Sequence, residues 1–177
     1  MIKLGLVATA IDRFNAWIGR QCRWLVLVMV VVGAYNALAR FGGKFLGLHL
    51  ASNSYLELQW YLFSLLFLLA SAYTLQRDQH VRVDVLYGRL SDRSKTWINL
   101  IGGLVFLLPF STAAFIFSWP SVRNSWQVWE QSPDPGGLAR YPIKTAILAC
   151  FILLFLQGVS QVIHSIERLS NPREAEQ

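Results

Sequence analysis

The stretch Gln76–Lys95, QRDQHVRVDVLYGRLSDRSK, decides how this chain is read. It is a charged island between two long apolar runs. It holds five of the sixteen basic residues (Arg77, Arg82, Arg89, Arg93 and Lys95) and one of the three histidines, His80. Such a segment belongs outside the hydrocarbon core of a membrane, so the island reads as a loop and its flanks as membrane helices.

Working outward, the 177 residues are 54% hydrophobic and only 15% charged, against roughly 25% charged in ordinary soluble domains. Four runs approach the length of about 18 apolar residues that crosses a bilayer. They are Trp24–Ala39, Tyr55–Leu75, Trp97–Trp119 and Ile143–Ile163. The expected fold is an all-α integral membrane protein with four transmembrane helices, residues 24–166. A polar tail, residues 167–177, follows. The net charge of +6 sits at the ends of the apolar runs, where it meets lipid headgroups. No basic face with interleaved aromatics suggests nucleic acid.

Residues 1–23 read as an additional amphipathic helix. Leu4, Val7, Ile11, Phe14 and Ile18 share a face, and Asp12, Arg13 and Arg20 lie off it. This pattern predicts a helix lying flat at the membrane interface; the alternative is a plain extension of the first span. That span is too long, and lacks the small-residue site, for a cleaved signal peptide.

Polar residues near the spans are the candidate functional positions. Ser54-Tyr55-Leu56-Glu57 matches a capping box, so Ser54 and Glu57 are read as a helix cap or partner contact. Glu57 is also a candidate for ion coupling, because ionisable groups in spans are functional by default; its place one turn from the helix end favours capping. Gly33 and Ala37 form a small-xxx-small pair for close helix contact. Asn36 is expected to hydrogen-bond between helices. Gln157, Gln161 and His164 fall at i, i+4, i+7 on the fourth span, a stripe that faces protein. The Gly33/Ala37 pair and the glutamines serve either a partner or the four helices themselves. Pro109 is expected to kink the third span, with Ser111 and Thr112 bonding to freed carbonyls. Residues 120–142 form a long connection with a short helix carrying Val122, Trp126 and Trp129, then a turn-rich loop.

Four spans put both termini and the 76–95 loop on one side. That side carries eleven of the sixteen basic residues and the other side five. The bias places both termini in the cytoplasm. The chemistry of an enzyme is not visible. Cys22 and Cys150 have no close Cys or His, and His49, His80 and His164 lie in loops or at segment ends rather than where haem ligands would be. No metal, cofactor or catalytic set is expected.

Several patterns then combine. Glu57-x-Gln59-Trp60-Tyr61-Leu62-Phe63 opens one span. Arg77-Asp78-x-His80-Val81-Arg82-Val83-Asp84-Val85-Leu86 follows it, and Leu107-Leu108-Pro109-Phe110 lies in the next span. Gly136-Gly137-Leu138-x-x-Tyr141-Pro142-Ile143-Lys144 and Leu156-Gln157-Gly158 come later. Together, over about Trp24 to Ile166, they resemble the small membrane subunit, DctQ type, of tripartite ATP-independent periplasmic (TRAP) transporters.

This resemblance implies a bacterial inner-membrane scaffold. A periplasmic binding protein would capture an organic anion, often a carboxylate, and a large elevator-type membrane subunit would import it with sodium. The small subunit would hold neither substrate nor sodium. His80, Arg82 and Asp84 then become a family marker and structural joint between spans two and three, as a short interfacial helix in preference to a strand. Lys44, Arg123, Glu130, Asp134 and Arg140 become candidate contacts for the binding protein. Two other classes remain open: a membrane anchor for a respiratory or redox enzyme, and a small exporter coupled through Glu57.

Overall fold

The computed structural model describes residues 2–47, 52–79, 88 and 90–170. Helix α1 runs Ile2–Leu46 and α2 Asn53–Gln76. Helix α3 covers Asp92–Gln127, with a π-helical stretch at Gly102–Leu107, and α4 covers Arg140–Ser170. All four are long and apolar enough to cross a membrane, and among the described residues there is no strand. The protein is a multi-pass, all-α membrane protein. His80, Arg82 and Asp84 lie outside the described residues, as does His49.

Helix α4 is the axis of the bundle. It packs against each of the other three helices, while α1 pairs with α2 and α3 joins mainly through α4. Accordingly α4 has the most buried residues, among them Ala146, Leu148, Cys150, Leu153, Gln157, Gly158 and Ser160. Ile2, Gln76, Asp92 and Ser170 gather at one end of the bundle, called here the terminal end; Leu46, Asn53, Gln127 and Arg140 mark the far end.

The expected interfacial helix at 1–23 and the span at 24–39 are one continuous helix, α1. The apolar face expected to meet the membrane interface is turned away from the bundle: Leu4, Val7, Phe14 and Trp17 are exposed, while Ala8 and Asn15 are buried. The inward seam of α1 is Ala8, Asn15, Cys22, Met29, Asn36 and Gly43, a seven-residue spacing of small and polar groups with one methionine. Lipid tails are as apolar as leucine, so large side chains gain nothing by turning inward. Small residues let backbones approach, and polar ones find partners. A Cβ on Gly19 would overlap the ring of Tyr73, and one on Gly33 would overlap Gln59. These contacts fix α1 and α2 antiparallel, residue for residue.

Pro109 leaves its mark as a π turn. Leu108 N–H donates to Gly103 O, five residues back, which widens the helix where the proline ring would press on the preceding turn. Ser111 Oγ donates to Leu107 O at 2.8 Å and Thr112 Oγ1 to Leu108 O at 2.8 Å. The third helix also runs through Pro120 to Gln127. The separate short helix expected after Trp119 is therefore the end of α3, and Trp129 lies beyond it with φ 50°.

Candidate functional site: two polar joints between the helices

The polar groups of the bundle collect at two places. The first is near the terminal end. Asn15 Nδ2 donates to Gln157 Oε1 at 2.7 Å, and Gln157 Nε2 donates to Asp12 Oδ1 at 2.9 Å. Ser160 Oγ donates to the same Asp12 oxygen at 2.6 Å, and His164 Nε2 stands 2.9 Å from Asp12 Oδ2. Gln76 Nε2 donates to the main-chain oxygen of Asp12 at 3.0 Å, which ties in α2. Glu167 closes the row, 3.5 Å from His164 Nδ1. One carboxylate thus accepts from three side chains of α4, and a carboxylate has the lone pairs to do so. Removing water from these groups raises the cost of leaving any of them unpaired, which is why they hold α1 to α4.

The stripe read from α4 is therefore split. Gln157 and His164 turn to Asp12, and Ser160 joins them from between. Gln161 does not belong to the joint; its main-chain oxygen accepts from Ser165. Asp12 and Asn15 were not among the candidate positions, although the seven-residue spacing through Asn15 and Asn36 marks the inward seam. Gly33 packs on α2, whereas Ala37 is exposed, so the two do not form one contact within the chain. Asn36 is buried, but its Oδ1 lacks a hydrogen-bond partner among the described residues, contrary to the expected interhelical bond.

The second joint lies at the far end and is built around Glu57. The N-cap of α2 is Ser52, whose Oγ accepts from Ser54 N–H at 3.2 Å. The predicted box at Ser54 is thus displaced, and Glu57 does not turn back to its own helix end. The residue is 4% exposed, and its carboxylate accepts instead from Ser132 Oγ and from Leu138 N–H. Ser54 Oγ donates to Gly136 O, Asn53 Nδ2 to Pro135 O at 3.2 Å, and Tyr61 Oη to Ala139 O at 3.2 Å. The start of α2 thereby grips the loop between α3 and α4, which folds on itself through a Gln131–Ala139 bridge.

Glu130 and Lys144 form an ion pair at the base of that loop. The hydrogen bond and charge of Lys144 hold the Glu130 carboxyl below its ordinary pKa. Arg140 N–H donates to Glu130 O at 2.8 Å. Trp126, Trp129 and Tyr141 pack edge to face beside it, with Trp126 and Trp129 centroids 4.6 and 5.1 Å from Tyr141. Trp126 Nε1 donates to Thr145 Oγ1 at 2.9 Å. Of the candidate loop charges, Glu130 and Arg140 are drawn together here, whereas Lys44 and Arg123 are exposed on separate helices.

Chemically, both joints are scaffolding. Each carboxylate has donors around it, and among the described residues no three His, Cys, Asp or Glu side chains stand together as metal ligands. Cys22 and Cys150 are both free thiols.

A comparison with family profiles matches residues 29–168 to the DctQ component of tripartite ATP-independent periplasmic transporters. No match was found among curated proteins or solved structures. The matched span takes in α1 from Met29 onward, all of α2, α3 and the loop gripped by Glu57, and nearly all of α4. This family is one of transporter components rather than enzymes. On a match covering well over half of its length, the chain belongs to the DctQ family of TRAP transporter components.

Proposed function

We propose that the chain is the small scaffold subunit of a sodium-coupled, binding-protein-dependent secondary transporter that imports organic anions, carboxylates in particular. It sits in the bacterial inner membrane with the terminal end of the bundle in the cytoplasm and the Glu57 loop in the periplasm. The orientation rests on the eleven-to-five distribution of basic residues. Its partners are the large elevator-type membrane subunit, a periplasmic substrate-binding protein and the lipid bilayer. Sodium coupling belongs to the large subunit, and no cofactor is needed here.

The family match over residues 29–168 carries this reading. The engagement of Glu57 with Ser132 and Leu138 supports it, because a carboxylate used as a loop anchor is a poor ion carrier. His80, Arg82 and Asp84 serve as the joint between α2 and α3, and Lys44, Arg123, Glu130 and Arg140 face the binding protein. The test is reconstitution in liposomes with a sodium gradient. Uptake is expected only when this chain, its large subunit and the binding protein are all present. Uptake by this chain alone would overturn the reading, and a haem band or bound quinone in the purified protein would favour a redox-complex anchor instead.

A further inference from the structure

The face of α1 turned away from the bundle alternates two residue types. Arg13, Trp17, Arg20 and Trp24 follow one another at i, i+4, i+7 and i+11, so they share one stripe. All four are exposed, and the stripe lies opposite the buried Asn15 and Cys22. Arg23 is exposed at its edge, with its guanidinium 5.5 Å from the ring centroid of Trp24. Asp12 is the sole acidic residue of α1, and its carboxylate is committed to Gln157, Ser160 and His164. Among the described residues no carboxylate stands within ion-pair distance of Arg13, Arg20 or Arg23.

The contacts of Gly19 with Tyr73 and of Gly33 with Gln59 set Asn15 opposite Arg77, the residue that caps the end of α2. The stripe therefore lies at the terminal end of the α1–α2 pair, where headgroups meet hydrocarbon. Side chains tilt towards the N-terminus of their helix, which for α1 is the terminal end, so Arg20 and Arg23 reach back towards the headgroups. Exposed indoles are unfavourable in water and guanidinium groups among acyl chains, and the headgroup layer suits both. Leu27 and Val31, both exposed, continue the same stripe into the apolar run at i+14 and i+18. What covers the whole stripe is thus amphiphilic, with an anionic head and an apolar tail. A nucleic acid has no tail to lay on Leu27 and Val31. A second copy packed through this face would set arginine against arginine, because a two-fold contact repeats one patch on both sides.

We propose that Arg13, Arg20 and Arg23, with Trp17 and Trp24, form a binding site selective for an anionic phospholipid of the leaflet at the terminal end. The guanidinium groups donate paired N–H bonds to phosphate oxygens, a geometry that arginine supplies and lysine does not. The indoles lie at the level of the glycerol backbone, where their N–H groups find oxygen acceptors. An acyl chain then follows Leu27 and Val31. Charge complementarity decides the lipid class: a zwitterionic headgroup brings its own cation, and the stripe has no carboxylate to receive it. This deepens the proposed function by naming which lipid the chain holds, and it rests on that reading only for the membrane setting.

The test is native mass spectrometry of the purified full chain in detergent, titrated with phosphatidylglycerol or with phosphatidylcholine. Phosphatidylglycerol is expected to bind tightly and phosphatidylcholine weakly; equal occupancy by the two would overturn the proposal. Each basic residue at an anionic surface is worth about fivefold in affinity, so the double variant Arg13→Gln/Arg20→Gln should bind phosphatidylglycerol about twentyfold more weakly. Unchanged binding by that variant, with a wild-type Tm, would overturn the site. Arg123→Gln, an exposed change on α3 towards the far end, is expected to leave binding as it was, and an equal loss there would reduce the effect to net charge and overturn the site too. Wild-type protein gives a further check that needs no variant. Rising salt should weaken phosphatidylglycerol binding, and salt-independent binding would contradict the proposal. Displacement of the lipid by millimolar inorganic phosphate would make this a site for a free anion instead. Because the readout uses this chain alone, failure here leaves the uptake experiment, and the proposed function, untouched.

Discussion

The carboxylate of Asp12 and the imidazole of His164, 152 residues apart in the chain, meet with Nε2 and Oδ2 at 2.9 Å. Together with Gln157 and Ser160 they fasten α1 to α4 where α1 extends beyond the apolar run read from sequence.

Asp12→Ala should loosen that joint. It strands donors on Gln157, Ser160 and His164, and an unsatisfied buried polar group costs about 1–3 kcal/mol. Part of this is offset by water, since Asp12 is partly exposed. Thermal unfolding in detergent should show a clear fall in Tm, and His164→Ala a smaller one. Equal melting of wild type and Asp12→Ala would mean that the joint carries no stability.

Glu57→Ala should free the loop between α3 and α4 without unfolding the helices. Limited proteolysis or hydrogen exchange across residues 130–139 is the measurement, with cleavage and exchange expected to rise. Glu57→Gln retains one acceptor oxygen and should lie between wild type and alanine, with sodium-driven uptake by the full complex preserved. Abolished uptake with an intact loop would restore Glu57 to an ion-coupling role.

The Glu130–Lys144 pair has a defined pH signature. The folded-state pKa of Glu130 is lowered, so its contribution is fully present above the unfolded carboxylate pKa. It is lost as pH falls through the lower folded value. Loosening of the loop should therefore begin as pH falls below the ordinary carboxylate pKa, be complete at the lower folded value, and be absent at neutral pH. Fluorescence of the Trp126, Trp129 and Tyr141 cluster reports it, and Glu130→Gln should remove the transition. An unchanged acid transition in that variant would assign it to another group.

Two glycines of α1 should respond oppositely to alanine. A Cβ at Gly42 meets nothing within 4 Å, so Gly42→Ala should stabilise the helix by about 0.5–1 kcal/mol. At Gly19 the added methyl meets the Tyr73 ring, and overpacking of this kind costs about 1–3 kcal/mol. Tm values of the two variants should bracket that of the wild type; a stabilised Gly19→Ala would show that the α1–α2 contact is looser than described.

Sequence alone determined that four helices cross a membrane. In hydrocarbon every main-chain polar group must be paired, so a run of apolar residues of sufficient length has few choices but a helix, and that information is local. The family patterns from Glu57 to Gly158 were legible for the same reason, as short strings with fixed order. Tertiary structure decided what the polar residues do. The partners of Glu57 lie 75 and 81 residues away, and those of Asp12 about 150. Nothing in the spacing around Ser54 distinguishes a carboxylate that caps its own helix from one that holds a distant loop. The side of α1 that meets the bundle was not legible locally. Its apolar stripe through Leu4, Val7 and Phe14 was expected to face lipid and is exposed, while the contacts with neighbouring helices are made by small and polar groups, which spacing alone did not single out. Helix periodicity reveals that a segment has two sides; only the arrangement of its neighbours determines which side is inside.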